Sequence, residues 1–354
     1  MPHDNSYVGG VVSIIQSYLK KREEFLKNGV DISIFDYQLN SSKLLKNSKL
    51  NNINYWIKQY LALKNFLKKE KNIILNIHTS REFLFLKDIF LAKMANKKYK
   101  VPVILTIHVG NKKTVFNRIQ LFQTFLIRCM NKYINKVIFL SNEICEEFIK
   151  MGLNREKAEV LYNFYDFDEI NIEIPNKNEL QLLYVGALHK DKGIIELLMA
   201  LSMLKEINFK IDICGKLTDK KIEKDINILV KSLAEKINIH GYVTGEKKLF
   251  LFKKADILIL PSYHEGMPLV ILEALSQKCA IISTNVGAIK EILTSKNVNW
   301  VRVKSVDDIV VAIKDFYYNP KKLAEVQLQN LELSKKFSIS SHIEKLCQIY
   351  KKIN

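Results

Sequence analysis

The sequence predicts an α/β protein of two doubly wound parallel-sheet domains, on three observations. Short, β-rich apolar runs alternate along the chain with longer segments of helical period, the pattern of parallel strands wrapped by helices. The alternation lapses at a polar stretch around Pro175, Asn176, Lys177 and Asn178 and starts again at Leu180. The 354 residues, 48% hydrophobic and 26% charged, suffice for two cores of ordinary size and exclude a disordered or collagen-like chain.

Taken in order, strands are expected at 30–35, 72–78, 101–107, 136–140 and 159–162, with helices in the gaps. These make a first domain, 1–168. Residues 169–178 read as a linker, and strands at 180–185, 209–214, 237–240, 256–260 and 280–283 build a second domain, 179–337. A final amphipathic helix at 339–353, within a closing segment 338–354, is free to pack back on the first domain. One element is missing: a sheet of this kind opens with a buried strand before its first glycine turn, yet Gly9 and Gly10 follow only eight polar or turn-forming residues. Either the true start lies upstream of Met1, or the first domain folds without its first strand and leaves an apolar slot.

No apolar run approaches the ~20 residues that span a bilayer, and the first residues lack the character of a signal peptide, so a cytoplasmic protein is expected. Cys129, Cys145, Cys214, Cys279 and Cys347 stand singly among apolar neighbours and read as reduced core residues. The net charge of +18 is uneven: residues 1–164 hold 27 Lys and Arg against 13 Asp and Glu, the remainder 28 against 24. Such an excess suits an anionic surface against the first half, or solvated lysine faces with no partner.

The most informative segment runs from Ser262 to Ala274, directly after the strand at 256–260. Pro268 suits the first turn of a helix, Gly266 allows close approach of a ligand, and free N–H groups at the helix start can hold a phosphate. Glu265 and Glu273 lie eight positions apart, ~12 Å along a helix, beyond the ~5 to 9.5 Å carboxylate separations of glycoside hydrolases. The pair suits the two ends of an extended ligand: sugar, diphosphate, ribose, base.

This segment, His264-Glu265-Gly266-Met267-Pro268-Leu269-Val270 with Glu273, resembles the signature of the retaining GT-B glycosyltransferases of the family 4 type (glycosyl transferases group 1). The resemblance runs through nearly the whole chain and implies two Rossmann-like domains facing across a cleft. It implies that Glu265 contacts the donor sugar, Glu273 the ribose, and the segment Gly266, Met267, Pro268 and Leu269, through its free amides, the diphosphate. Tyr184-Val185-Gly186-Ala187-Leu188-His189-Lys190-Asp191-Lys192-Gly193 resembles the opening of the family's second domain, where a lysine matching Lys192 neutralises the diphosphate. The family has arginine where this chain has Ala187; Lys190 or His189 is a candidate substitute. Gly241-Tyr242-Val243 resembles the segment that lines the base, and Asn163 stands at the expected junction of the domains. Gly10, with Gly9, resembles the glycine loop near the donor phosphates, and His108 the histidine that faces the transferred sugar. A lone histidine is also a common structural residue. His78 is a candidate for the acceptor side or for packing.

The resemblance implies retaining transfer of a hexose or N-acetylhexosamine from a nucleotide-diphosphate sugar, with Glu265, His108 and Lys192 as the catalytic candidates. No cofactor and no metal are expected, and no Asp-x-Asp site is present. For the acceptor, 114–136 reads as a basic amphipathic helix, with Phe116, Ile119, Phe122, Phe125, Leu126 and Ile127 among Lys112, Lys113, Arg118, Arg128, Lys132 and Lys136. It suits an anionic inner membrane surface and a lipid-linked acceptor, as in capsule, lipopolysaccharide or O-antigen assembly, or else an ordinary packed helix. Two rivals are a catalytically impaired scaffold, motivated by Ala187 and the missing strand, and a nucleic-acid-binding protein, for which no recognition motif is present.

Overall fold

In the computed structural model, which describes residues 10–35, 49–79, 82–108, 120–167, 179–233 and 235–353, the chain divides into two units. The first comprises residues 1–162 with 340–354, the second residues 163–339. The expected linker 169–178 and Gly9 lie outside the described residues.

The first unit begins with α1 (Gly10–Lys20), α2 (Arg22–Lys27) and α3 (Lys49–Lys69), so Gly10 is the opening residue of a helix. Strands and helices then alternate: β1 (Leu75–Thr79), α4 (Glu82–Tyr99), β2 (Val103–Ile107), α5 (Gln120–Tyr133), β3 (Lys136–Phe139), α6 (Asn142–Lys150) and β4 (Ala158–Val160). The strands pair in chain order and all are parallel. β2 is buried at every residue, because helices cover both faces of such a sheet. Its core draws Phe85, Ile89 and Met94 from α4, Leu126, Ile127 and Met130 from α5, and Phe148 from α6.

Three expectations are corrected here. Residues 30–35 are not a strand; a strand exists only through a neighbour's backbone bonds, and β1, at the edge of the sheet, offers its one described ladder to β2. The helix expected over 114–136 is described as α5 from Gln120 onward, and it is seated on the core by Leu126, Ile127 and Met130, as an ordinary packed helix is. Phe125 is half-exposed on its outer side, while Lys136 belongs to β3, where its ammonium donates to the Glu156 carbonyl and to Glu159. Phe116, Ile119, Lys112, Lys113 and Arg118 lie outside the described residues, as does the side chain of Phe122.

The second unit follows the same logic: β5 (Leu180–Val185), α7 (Ile194–Met203), β6 (Phe209–Cys214), α8 (Glu223–Ser232), β7 (Ile237–Gly241), α9 (Gly245–Lys254), β8 (Ile257–Leu260), α10 (Leu269–Ser276), β9 (Ala280–Thr284), α11 (Ile289–Ile292), β10 (Val298–Val301), α12 (Val306–Tyr318) and α13 (Pro320–Ser334). Its six parallel strands run β10-β9-β8-β5-β6-β7. The order reverses between β5 and β8, and open sheets of this type take ligands beyond the carboxyl ends of the strands at such a reversal. β10 was not expected; its short Val-Asn-Trp-Val run is half-buried at the middle residues and lacks the continuous apolar pattern of β8 and β9.

The chain ends in α14 (Ile339–Lys351), whose residues from Ser340 belong to the first unit. His342, 6% exposed, sits between the Tyr162 carbonyl at 2.8 Å from Nδ1 and the Tyr18 hydroxyl at 2.6 Å from Nε2. A carbonyl only accepts, so Nδ1 carries the proton and Tyr18 donates to Nε2. Tyr350 accepts from the Asn76 amide on β1 at 3.0 Å.

Candidate functional site

Two loops at the β5/β8 reversal carry the residues the sequence singled out. The loop after β5 holds Gly186, Ala187 and a short turn of 3-10 helix, Lys190–Lys192, and the loop after β8 holds Ser262 to Pro268. They are fastened to one another: the Tyr263 amide donates to the Asp191 carbonyl at 2.8 Å, and the Tyr263 hydroxyl donates to Glu196 on α7. Gly193, between the 3-10 turn and α7, has φ +67°, and a Cβ there would lie 2.2 Å from the Pro261 carbonyl oxygen. Only glycine permits both the left-handed backbone and this approach of the two loops.

The loops bring Lys192 and Glu265 together across 73 residues, with Nζ to Oε1 at 2.7 Å. Ser262 Oγ donates to the same oxygen at 2.8 Å. Glu265 lies in the loop and only Leu269 onward is helical, so the two glutamates are not two points on one helix. The loop is gripped from below as well: the Ala288 amide donates to the Gly266 carbonyl, the Asn163 amide group to the Met267 carbonyl at 2.9 Å, and the Thr284 hydroxyl to the Ser262 carbonyl. Gly287 makes this possible, since at φ +55° a Cβ would meet the Glu265 carbonyl oxygen at 2.1 Å. Met267 is thereby buried, and Pro268 is the residue that caps α10 rather than a residue of its first turn. No side chain caps this helix, so its leading amides keep their donors for an anion.

Glu273 stands in the middle of α10, 9% exposed, and its Oε1 lies 2.5 Å from Lys248 Nζ on α9. At the end of β7, Val243 is buried while the Tyr242 ring is 44% exposed, with the Lys216 ammonium 5.4 Å from its centroid. Burial and the charge of Glu273 push the Tyr242 phenol up. The Tyr184 hydroxyl is fully buried beneath Gly186 and donates to the Ala187 carbonyl at 2.9 Å; burial and the nearby Glu265 charge hold it protonated. His189 is committed locally, its Nδ1 accepting from the Asp191 amide to cap the 3-10 turn, and Lys190 is exposed.

Gly10 and His108 belong to the first unit. His108 follows β2 directly and its amide donates to the Thr79 carbonyl at 2.8 Å, which sets it beside His78 of β1. The two rings stack with centroids 5.1 Å apart, and His78 Nδ1 meets His108 Nε2 at 2.8 Å. Burial lowers His78 to about 4, and burial with the neighbouring His78 and His342 drives His108 well below the usual histidine value. Both are neutral near pH 7, so the pair offers neutral donors and acceptors rather than charge. Sequence reasoning missed Ser262, Lys248, Tyr184 and His342. Lys248 carries no local signal among 55 Lys and Arg, and His342 meets its partners only through tertiary contact.

Comparison with known proteins places this arrangement. Residues 166–331 match the family described as glycosyl transferases group 1, and residues 23–169 match Glycosyltransferase Family 4. The chain belongs to the family 4 type of GT-B glycosyltransferases. An uncharacterized glycosyltransferase of Methanocaldococcus jannaschii is 26% identical over 98% of this chain and 96% of its own length. A Campylobacter jejuni α-1,4-N-acetyl-D-galactosaminyltransferase, named for an undecaprenol-diphosphate-linked GalNAc substrate, is 27% identical over 81% of this chain and 76% of its own. The Anabaena protein HepE, solved in complex with UDP, shares the fold with a TM-score of 0.73 at 13% identity, covering 99% of this chain and 98% of that one. Among the described residues of this glycosyltransferase, no helix is long and apolar enough to cross a membrane, and no three His, Cys, Asp or Glu are grouped to hold a metal ion.

Proposed function

We propose that the protein is a retaining glycosyltransferase that moves a hexose or N-acetylhexosamine from a nucleotide-diphosphate sugar to a glycan or lipid-linked acceptor. The observation that carries this reading is the pairing Lys192–Glu265 beside the uncapped start of α10, at the sheet reversal, with Glu273 further along the same helix. In this reading the diphosphate lies on the leading amides of α10 with Lys192 facing it, which stabilises the nucleotide diphosphate as it departs. Glu265 positions the sugar and its developing charge, Glu273 takes the ribose, and Gly186, Tyr242 and Val243 border the nucleoside. The acceptor hydroxyl attacks the anomeric carbon on the face the nucleotide leaves, and its proton passes to the leaving phosphate oxygen. No metal or other cofactor is assigned a role.

UDP bound to HepE supports a nucleoside-diphosphate donor, and the lipid-linked substrate named for the Campylobacter transferase supports a lipid-linked glycan acceptor in surface glycan assembly. Phe125, Arg128 and Lys132, exposed on one face of α5, support peripheral contact with an anionic membrane.

The test is thermal stabilisation by UDP-, GDP-, ADP- and CMP-sugars, with Glu273→Ala as control. A ligand at 100 times its Kd adds ~2.7 kcal/mol of stability. A shift with one nucleotide class, abolished in the variant, is expected. Absence of any shift would remove the donor reading, and binding without turnover on any acceptor would favour a scaffold lacking activity.

A further inference from the structure

The two oxygens of Glu273 are treated differently. Oε1 is taken by the Lys248 ammonium at 2.5 Å, whereas Oε2 is buried and has no hydrogen-bond partner among the described residues. A carboxylate oxygen removed from water without a donor is costly, and native structures leave few such groups without a purpose. The side chain is held on a buried helix, and none of the described residues supplies that oxygen with a donor, which leaves it available to a hydroxyl of a bound molecule. Lys248 reaches Glu273 from α9, 25 residues earlier, with its ammonium 5.9 Å from the Phe252 ring centroid. The other titratable group that senses Glu273 is Tyr242, whose phenol stays protonated, so Lys248 supplies the cation paired with this carboxylate.

We propose that Lys248 is a positioning residue for donor binding: by occupying Oε1 it fixes the orientation of Glu273 and leaves Oε2 as the acceptor for a ribose hydroxyl of the nucleotide. This rests on the reading of Glu273 as the ribose-binding carboxylate. A lysine that merely fastened α9 to α10 would predict a different response to pH.

The experiment is calorimetric titration of the purified full chain with free UDP, GDP and ADP at pH 6.5 and 8.5, for the wild type, Lys248→Met and Lys248→Arg. Loss of a neighbouring cation favours the neutral form of a buried carboxylate. If binding needs the carboxylate, Kd for the preferred nucleotide rises about 30-fold at pH 6.5 and less than about 2-fold at pH 8.5 in Lys248→Met. Lys248→Arg, which keeps the charge, stays within about 3-fold of wild type at both pH values. An unchanged Kd in Lys248→Met, or the same loss at both pH values, overturns the proposal. If Lys248→Met does not fold, Lys248→Gln, which keeps a donor but no charge, decides by the same pH contrast. A wild type that binds none of the three nucleotides defeats the donor reading of the site, and the proposal with it, which sets that failure apart from a failure of Lys248 alone.

Discussion

Acidification from about pH 7.5 to about pH 5 is expected to loosen the first unit while the second stays folded. His342 is 6% exposed, and burial, aided by His78 and Lys345 and opposed by its bond to the Tyr162 carbonyl, lowers it from 6.5 to about 3; His78 falls to about 4. In both, the folded value lies below the unfolded one, so the unfolded chain takes the proton first. Stability is therefore whole above 6.5 and is lost as pH falls from there toward the folded values. At pH 5 the loss has run for 1.5 units at ~1.4 kcal/mol each, or ~2 kcal/mol per histidine and ~4 for the two. That is a large share of the ~5 to 15 kcal/mol that hold a domain together. The second unit loses stability in the same direction but in a lower pH window. Asp212, held by His240 and Lys254, lies below its ordinary 3.8, so its contribution is present above that value and fades only at lower pH. Hydrogen exchange at the two pH values, corrected for the intrinsic rate, reads the difference: amides of β2 and β3 should lose protection at pH 5 while those of β8 and β9 keep it. His342→Gln should remove one histidine's share of the effect, ~2 kcal/mol. Equal protection of the four strands at both pH values would refute the assignment of buried neutral histidines.

Three further outcomes follow from the geometry. Lys192→Met leaves Glu265 with the Ser262 hydroxyl alone and removes the cation facing the proposed diphosphate; kcat should fall roughly 10²- to 10³-fold with the fold intact by circular dichroism. Gly193→Ala meets both a positive φ and the Pro261 carbonyl, and should lower stability by more than ~1 kcal/mol, read as the Tm of the second unit. Because His78 and His108 share a 2.8 Å bond, His78→Phe and His108→Asn should each lower kcat/KM, and the double variant should lose little beyond the stronger single one; simple additivity would mean the rings act independently.

The strands at 180–185 and 209–214 match their sequence reading to the residue: the first is apolar apart from Gln181, and the second sets Phe209, Ile211 and Ile213 at the two-residue period of a strand. Residues 30–35 have similar composition and no strand, since pairing is supplied by a neighbour that local sequence does not record. The same division runs through the site. Glu265 and Glu273 were legible because strand, turn and helix occur together in one stretch of sequence. Their partners were not: Lys192 was placed at a diphosphate, yet its contact is Glu265, and Lys248 is one lysine in a lysine-rich chain. Ion pairs between segments 25 and 73 residues apart are facts of topology.

The return of α14 to the first unit has a consequence for synthesis. Tyr18 and Asn76 are among the early residues to leave the ribosome, but His342 and Tyr350, which they bond, are among the last. The second unit is contiguous and can close while its sequence is still emerging, so the part of the chain made first is finished last. A chain cut short before α14 would lose the packing around Tyr18, in the first unit, while the second unit kept nearly all of its own residues.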